Sequence, residues 1–455
     1  MLQLHQALFI GLLRYSSPVL SKTCMSNIRA LQSVQAQSLR VCLGLPRSTS
    51  TAGTVILARD YPVTTYITTD ALRAHIRHTS RMVSSHLPYL PEKRPQASFS
   101  NVVSSHRALL PSGFTPSARS PSALWCLHQP EVRLSIPGIR KKKNLSTLAL
   151  KQAALDCLHT FYADRIHVYT DGSTTQTSST GATVIPSRHI HLTYKLCHVS
   201  TSTGSELAAL RGAVNHIKEQ PANRWAVFCD SKAALQCLSS ALRRGSYEQL
   251  VWEIREMLHN VTEQGHDVVF QWLPSHCGIS GNDLADEAAR EAHGETSLVS
   301  IPLSRIDAAR YLSKLAQNMT LQMWRTSQFT DQRLYSLDPS LRLRLLPGLS
   351  REEDTVLCRL RLGVAFTNAY SFKIEMADNA ECNDCAVAET IEHILCNCPT
   401  YSDERLHLRT ALDHLDGSAF TVAKILGPWG SPSQFRKATK ALLRFLKDTG
   451  LIHRL

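Results

Sequence analysis

The chain has 455 residues, and 43% of them are hydrophobic, which is enough to build the cores of about two to four domains. Its formal net charge is +13 and unevenly placed: residues 1–150 hold 18 lysines and arginines against 4 acids, whereas the rest of the chain holds 32 against 33. The 13 cysteines lack the spacing of a small secreted disulfide scaffold, and no apolar run is long enough for a membrane span, so both of these classes are excluded.

The N-terminal region is the basic part of the chain. A basic region beside a near-neutral body suits a polyanionic partner, so we expect residues 1–150 to contact nucleic acid. The apolar run at residues 7–13 has no basic residue before it, so we expect no secretory signal and an intracellular protein of the nucleus or cytoplasm. Residues 1–50 contain five basic residues and no acid, which also fits a mitochondrial transit peptide as the alternative.

Two helices and a linker are predicted in the first third of the chain. Residues 24–45 have helical spacing that stops at Gly44 and Pro46, and residues 69–83 resemble a second helix. We assign residues 84–160 to a linker, because residues 84–143 are rich in proline, serine and arginine without sustained periodicity. Its basic run at residues 140–143 is either a solvated tether or a nucleic-acid contact.

Residues 161–295 alternate between strand and helix patterns. Strands are predicted at residues 166–170, 181–186, 191–199, 225–229 and 267–272. Helices are predicted at residues 205–219, around Leu235 and Leu238, at 247–264 and from Asn282 onwards. This order predicts an α/β fold with a mixed five-stranded sheet and helices on both faces. The first three strands form an antiparallel meander, and helical crossovers make the first, fourth and fifth strands parallel.

Asp171 ends the first of these strands and is followed by Gly172. An acid in this position often presents its carboxylate at the rim of an α/β sheet. The alternative is an Asx-turn acid that only closes the strand. Right-handed crossovers bring Asp171 and Asp230 to the same sheet edge if their two strands are neighbours.

Three further acids follow strands or begin helices. Glu206 has capping-box spacing from Thr203, Asp230 has the position of an N-cap, and Asp286 complements the dipole of the last helix. Each acid alone is therefore explained by local structure. Brought together with Asp171, they would repel one another strongly, and a fold that gathers four carboxylates usually does so to hold divalent cations.

The acids lie in four sequence blocks that resemble type 1 ribonuclease H, in that family's order and with compatible spacing over about residues 162–295. The blocks are Tyr-Thr-Asp-Gly-Ser at 169–173, Gly-Ser-Glu-Leu-Ala-Ala-Leu at 204–210, Phe-Cys-Asp-Ser-Lys-Ala-Ala-Leu at 228–235 and Trp-Leu-Pro-Ser-His-Cys-Gly-Ile-Ser-Gly-Asn-Asp-Leu-Ala-Asp-Glu-Ala-Ala at 272–289. The resemblance implies a ribonuclease H-like fold that hydrolyses the RNA strand of RNA–DNA hybrids.

The resemblance also implies the site residues. The catalytic acids, which would bind two Mg²⁺ or Mn²⁺ ions, are Asp171, Glu206, Asp230 and Asp286. Asp286 is preferred to Asp283 because the family's acid stands four residues after the asparagine that matches Asn282. His276 would serve proton transfer or product release. The hydroxyl groups near substrate phosphate or the RNA 2′-hydroxyl would be those of Ser173, Thr203 and Ser231.

A cysteine and histidine cluster lies near the C-terminus. The spacing Cys382-x2-Cys385-x7-His393-x4-Cys398 is that of one structural, tetrahedral Zn²⁺, with Cys396 as the alternative ligand. We assign residues 376–410 to this zinc module, 296–375 to a helical segment, with helices expected over 303–346, and 411–455 to C-terminal helices. The last helix, at residues 434–447, is amphipathic, which predicts an apolar face on a core and a basic face in water.

Flanking motifs resemble the C-terminal end of non-LTR (LINE-type) retrotransposon polyproteins. They lie at residues 351–363, 389–395 and 398–401. Residues 1–83, including Leu-Arg-Val-Cys-Leu-Gly-Leu-Pro from Leu39, are similar to the tail of the reverse transcriptase of such polyproteins. The polymerase's metal-binding Asp-Asp motif is absent, so the resemblance implies a retroelement fragment without polymerase activity. Some ribonucleases H grip substrate with a basic helical handle, where this chain has a short link containing Arg243 and Arg244.

Other functions remain open at this point. A catalytically inactive, nucleic-acid-binding retroelement fragment would use only the basic region and the zinc module. A fragment that never folds completely would show an insoluble N-terminal region. Integrase-like or transposase-like nucleases share the expected fold, but the block around Glu206 and the loop around His276 argue against them.

Overall fold

The computed structural model describes residues 1–21, 23–79, 106–111, 115–116, 126–139, 145–240 and 247–455. The chain forms two compact units, one made of Met1–Ala71 with Lys314–Leu455 and the other of Leu72–Ser313. The basic run at residues 140–143 and the link with Arg243 and Arg244 lie outside the described residues. No helix among the described residues has the length and apolar character needed to cross a membrane.

Short and long helices make up the N-terminal part of the chain. They are α1 Leu2–Leu4, α2 Gly11–Leu20, α3 Met25–Leu43, α4 Thr51–Leu57 and α5 Val63–Thr79, with a π-helical turn at His5–Ile10. The predicted stop at Gly44 is confirmed: this residue ends α3 with a φ of 66°, a conformation that glycine adopts without strain. The second helix begins at Val63, before the predicted start at residue 69.

The strands found among the described residues all belong to the unit formed by Leu72–Ser313. These are β1 Thr115–Pro116, β2 Glu131–Arg133, β3 Ile166–Asp171, β4 Thr180–Ile185, β5 Ile190–Leu196, β6 Arg224–Cys229, β7 Asp267–Trp272, β8 Leu298–Val299 and β9 Pro302–Leu303. The helices between them are α6 Thr147–Tyr162, α7 Ser202–Lys218, α8 Lys232–Ser239, α9 Glu248–Glu263 and α10 Ser280–Glu291.

A mixed sheet with the strand order β2-β7-β6-β3-β4-β5-β8 forms the centre of this unit. The predicted meander is confirmed, since β3, β4 and β5 pair in antiparallel fashion. The predicted parallel strands are confirmed as well, because β3 pairs with β6 and β6 with β7. The sheet has seven strands rather than the expected five, because β2 and β8 add to its two edges. Strands of two or three residues are too short for an alternating pattern to appear in the sequence.

Helices cover both faces of the sheet, as predicted. On β4 the Thr183 hydroxyl donates to the carbonyl of Ala209 in α7, and the Thr180 hydroxyl donates to that of Ala289 in α10. Side chains three residues apart on a strand point to opposite faces, so α7 and α10 lie on opposite sides. Between these layers lies the core, whose largest fully buried residues include Trp225.

The segment assigned to a linker, 84–160, differs from that expectation. It contains β2 and nearly all of α6, and both belong to the same core as the sheet. Ser146 caps α6 by accepting the N–H of Ala149, and the Tyr162 hydroxyl donates to Gln271 on β7 at 2.7 Å. Apolar spacing through Leu150 and Ala154 was readable in the sequence, but the proline-rich, basic stretch before it obscured this boundary.

The remaining helices follow the sheet. They are α11 Arg305–Trp324, α12 Arg333–Leu337, α13 Arg351–Leu362, α14 Asn368–Lys373, α15 Ser402–Asp413, α16 Val422–Leu426, α17 Pro432–Asp448 and α18 Leu451–Arg454. The helical pattern expected up to residue 346 ends earlier, because the Asp338 carboxylate accepts the backbone N–H groups of Arg342 and Leu343 and forms a turn. The last long helix, α17, has its apolar face in a buried cluster and its basic residues exposed, as predicted.

Candidate functional site

Asp171 and Asp230 lie together at one edge of the sheet. Their strands β3 and β6 are parallel neighbours, and Thr170 pairs with Cys229, so each acid follows one member of a paired position. This confirms the predicted placement. The N-cap role considered for Asp230 is wrong, because the Ser231 hydroxyl caps α8 by accepting the N–H of Ala234 at 3.3 Å.

Glu206 reaches the same edge from α7. The helix begins earlier than expected, since Thr201 is its N-cap and accepts the N–H of Gly204 at 3.1 Å. The capping box expected from Thr203 to Glu206 is therefore wrong. Gly172 lets the strand and the helix approach closely, because a Cβ at this position would lie 2.4 Å from the backbone nitrogen of Glu206.

The three carboxylates form one compact group. Oxygen atoms of Asp171, Glu206 and Asp230 lie within 4.8 Å of one another. Burial, followed by the charges of Asp230 and Asp286, raises the pKa of Asp171 to about 7. Burial, followed by the charges of Asp171 and Asp230, raises the pKa of Glu206 well above its usual value. Like charges held this close in a buried place make a site that favours cations.

Asp286 and His276 lie beside each other next to this group. The Asp286 carboxylate is 3.8 Å from Nδ1 of His276 and 2.6 Å from a guanidinium nitrogen of Arg290. Asp286 is outside the group of three, but its charge contributes to the raised pKa of Asp171. His276 is 78% exposed on the loop between β7 and α10, with a left-handed φ of 54°. The structure thus brings all five predicted catalytic residues to one end of the sheet.

The three predicted substrate-binding hydroxyls border the carboxylates in sequence. Thr203 is half-buried in the first turn of α7, and Ser231 caps α8. The Ser173 hydroxyl is 3.0 Å from Nε2 of His293, whose Nδ1 is 2.7 Å from the hydroxyl of Ser178. The sequence analysis missed His293, because nothing in its local pattern separates it from the other 19 histidines.

Comparison with known protein families matches residues 163–293 to the RNase H family. These residues form an RNase H domain. Domains of this class hydrolyse RNA in RNA–DNA hybrids, so the match implies that the domain binds such a hybrid, and they generally use Mg²⁺. A comparison with curated proteins finds no match to the chain.

A second group of ligand-type side chains lies in the C-terminal part of the chain. Ligand atoms of Cys382, Cys385, His393 and Cys398 lie within 4.8 Å of one another, so this group could bind zinc. Nε2 of His393 is buried without a hydrogen-bond partner among the described residues, which suits a metal ligand. The fourth ligand of the group, and its third thiol, is Cys398, whereas Cys396 packs against a hydrophobic cluster.

Two local structures place these four ligands. A tight turn brings Cys382 and Cys385 together: the carbonyl of Cys382 accepts the N–H of Ala386 at 3.1 Å, and Ala386 has a left-handed φ of 50°. The π-helical turn His393–Asn397 then returns the chain, and the N–H of Cys398 donates to the carbonyl of His393 at 2.7 Å. The backbone alone thus determines which of the two late cysteines points inward.

Proposed function

We propose that the RNase H domain of this chain is an active endonuclease that cleaves the RNA strand of RNA–DNA hybrids with two divalent metal ions. The observation that supports the proposal is the group formed by the buried Asp171 and Glu206 and the half-buried Asp230, whose carboxylate oxygens lie within 4.8 Å of one another. Bringing these carboxylates together destabilises the folded protein when no cation is bound. The same arrangement provides the oxygen ligands that a divalent cation needs.

The carboxylates would hold the metal ions, Mg²⁺ or Mn²⁺. Oxygen ligands suit these hard cations, and the fit is supported by the raised pKa of Asp171 and of Glu206, both of which a nearby cation would lower. When bound, two such ions would supply an activated water and stabilise the leaving oxygen. Asp171, Glu206 and Asp230 would hold the ions, and Asp286 would complete the set of ligands.

His276 would move a proton at the edge of the site. Its exposed ring can reach solvent and lies 3.8 Å from the carboxylate of Asp286. The product of cleavage would carry a 3′-hydroxyl and a 5′-phosphate. A histidine on a solvent-facing loop is suited to protonating the leaving oxygen or to helping the product leave.

Substrate would be gripped both near the site and away from it. Near the site, hydroxyls of Ser173, Thr203 and Ser231 would contact phosphate or the RNA 2′-hydroxyl. The basic residues 1–150 would add sequence-independent contacts to the backbone. Helix α17 offers a further basic surface through the exposed residues Arg436, Lys437 and Lys440.

The zinc cluster would have a structural role. Four protein ligands fill a tetrahedral Zn²⁺ and leave no position for substrate. Ile394 and Leu395 lie between the third and fourth ligands and are buried in the cluster that holds the C-terminal helices. Zinc binding would therefore fix the packing of that part of the chain.

The chain would derive from a non-LTR retrotransposon. The proposal rests on the sequence motifs beside the zinc cluster and on their order, in which a region similar to the tail of a reverse transcriptase precedes the RNase H domain. The genomic sequence upstream of this coding region is then expected to encode polymerase motifs or their remnants.

A gel assay with a labelled RNA–DNA hybrid and Mg²⁺ tests the main proposal. Wild-type protein should cleave only the RNA strand. The cleavage rate of Asp230→Asn should be at least about 100-fold lower, because the substitution removes one metal ligand while the side chain keeps nearly the same shape. Equal activity of the two proteins, or cleavage of duplex DNA, would contradict the proposal. Hybrid binding without cleavage by the wild type would instead indicate the catalytically inactive fragment.

A further inference from the structure

Asp307 is a buried acid that lies outside the residues matched to the RNase H family. It belongs to the first turn of α11 and is 1% exposed. Its carboxylate accepts the hydroxyl of Ser304 at 2.7 Å, the hydroxyl of Ser200 at 2.9 Å and the backbone N–H of Thr201 at 2.9 Å. Three donors from two chain segments thus converge on one carboxylate, in a place that solvent does not reach.

Two of these contacts are made at the start of α7, the helix that carries Glu206. Thr201 is the N-cap of α7, and its own hydroxyl also contacts the hydroxyl of Tyr247. The positive end of a helix dipole favours an anion at this position, so the Asp307 carboxylate both orients and stabilises the helix start. Glu206 lies between one and two turns further along the same helix, so the position of the helix start affects the position of its carboxylate.

A chain of hydrogen bonds continues from Ser200 to Ser205, the residue before Glu206. The N–H of Ser200 donates to the hydroxyl of Ser179 at 2.9 Å, and this hydroxyl is 3.1 Å from that of Thr174. Thr174 is in turn 2.7 Å from the hydroxyl of Ser205, the residue before Glu206. Ser179, Ser200 and Ser205 have no exposed surface. Each of these hydroxyls therefore depends on its neighbours for hydrogen bonds.

The side chains in this series of hydrogen bonds are closely packed against α7. A Cβ on Gly204 would lie 2.0 Å from the hydroxyl oxygen of Ser200, so α7 sits directly against the residue that Asp307 holds. The segment before Asp307 is also joined to the domain: β8 pairs with β5, and the guanidinium of Arg211 on α7 donates to the carbonyl of Ser300 at 2.7 Å. The start of α11 is thus anchored to the same helix at two places.

We propose that Asp307 is a positioning residue for Glu206, so that the working RNase H domain extends beyond residue 293 to at least residue 307. The inference rests on the proposed function, since it gives Glu206 a metal to bind. Asparagine at this position would offer one acceptor oxygen in place of two, so the N–H of Thr201 and two buried hydroxyls could not all keep their partner. The start of α7 then loosens, and Glu206 no longer holds its place opposite Asp171.

The test compares Asp307→Asn with Asp331→Asn, which removes an equal charge at an exposed position in the other unit. In the full-length Asp307→Asn protein, backbone amides of residues 202–207 should exchange hydrogen at least about tenfold faster, while those of β6 and β7 stay unchanged. The Mg²⁺ concentration for half-maximal cleavage should rise about tenfold with the KM for hybrid unchanged. Asp331→Asn should match the wild type in both measurements.

Ser304→Ala gives a second, milder test, because it removes one of the three donors and leaves the carboxylate in place. We expect hydrogen exchange at residues 202–207 and the Mg²⁺ concentration for half-maximal cleavage to rise again, but only about threefold. Unchanged exchange at the start of α7 in both variants, or faster exchange spread equally over α7, β6 and β7, would overturn the positioning role. A wild type that does not cleave hybrid would contradict the proposed function, whereas the exchange measurement would still decide whether Asp307 holds α7.

Discussion

The raised pKa of Asp171 makes a prediction about stability that does not depend on catalysis. Its folded-state pKa is about 7 against an ordinary value of 3.8, so between these pH values the folded protein keeps a proton that the unfolded chain has lost. Stability of the RNase H domain without divalent metal should therefore fall as the pH rises from about 4 to about 7. Above about pH 7 the buried carboxylate is charged in the folded protein, and the loss of stability is complete.

Asp171→Asn removes this cost at nearly constant shape. A rise in pKa from 3.8 to about 7 corresponds to about 4 kcal/mol, which is the largest gain in stability expected for the variant at pH 8. At pH 5 the wild-type carboxyl is already mostly protonated, so the gain should be much smaller there. At pH 8, added Mg²⁺ should make the wild type more stable than the variant, because the ion binds the folded wild type and not the variant.

Hydrogen exchange of the β6 amides measures this effect within the RNase H domain alone. Asp267→Asn provides a control of opposite sign, since the hydrogen bond from Arg165 lowers the pKa of Asp267, and removing that acid should reduce protection at pH 8. Equal protection of wild type and Asp171→Asn at pH 8, or an equal gain at pH 5 and pH 8, would refute the electrostatic reasoning.

Three further predictions concern the histidine, the zinc cluster and the basic helix. His276→Ala should lower kcat for hybrid cleavage about 100-fold with hybrid affinity nearly unchanged, as measured by single-turnover kinetics and by binding in Ca²⁺. Metal analysis of the full chain should find about one zinc, which Cys398→Ser loses and Cys396→Ser keeps; loss of zinc only from the Cys396 variant would contradict the assignment. Replacing Arg436, Lys437 and Lys440 with alanine should reduce the slope of log affinity against log salt by about 2 to 3, and an unchanged slope would mean that α17 does not touch nucleic acid.

The sequence predicted the five strands β3 to β7, their pairing and the meeting of Asp171 with Asp230, because these depend on alternation and on the handedness of crossovers. It did not predict which hydroxyl caps α7. Thr201, Ser202 and Thr203 are all suitable N-caps by type, and the backbone N–H of the one used, Thr201, donates to the Asp307 carboxylate, which lies about one hundred residues away in the chain. Tertiary contacts of this kind leave no local pattern in a sequence.

The choice between Cys396 and Cys398 as zinc ligand also depends on the folded structure and not on the sequence spacing. Both fit the spacing of a zinc site, and only the π-helical turn His393–Asn397 determines which thiol faces the other ligands. Strands β2 and β8 were missed for a different reason, since two or three residues cannot show a period.

The strongest argument for a metal-binding role is that the local roles of the acids are filled by other residues. Thr201 caps α7 and Ser231 caps α8, so neither Glu206 nor Asp230 is needed where the sequence alone would have placed it as a cap. Local structure therefore gives no reason for gathering these carboxylates beside Asp171, and their mutual repulsion opposes it. The close approach of strand and helix at Gly172 is a further constraint, because only a residue without a side chain fits there. Divalent cations would turn this repulsion into binding energy, and on that ground we propose a catalytic rather than a structural role for the group.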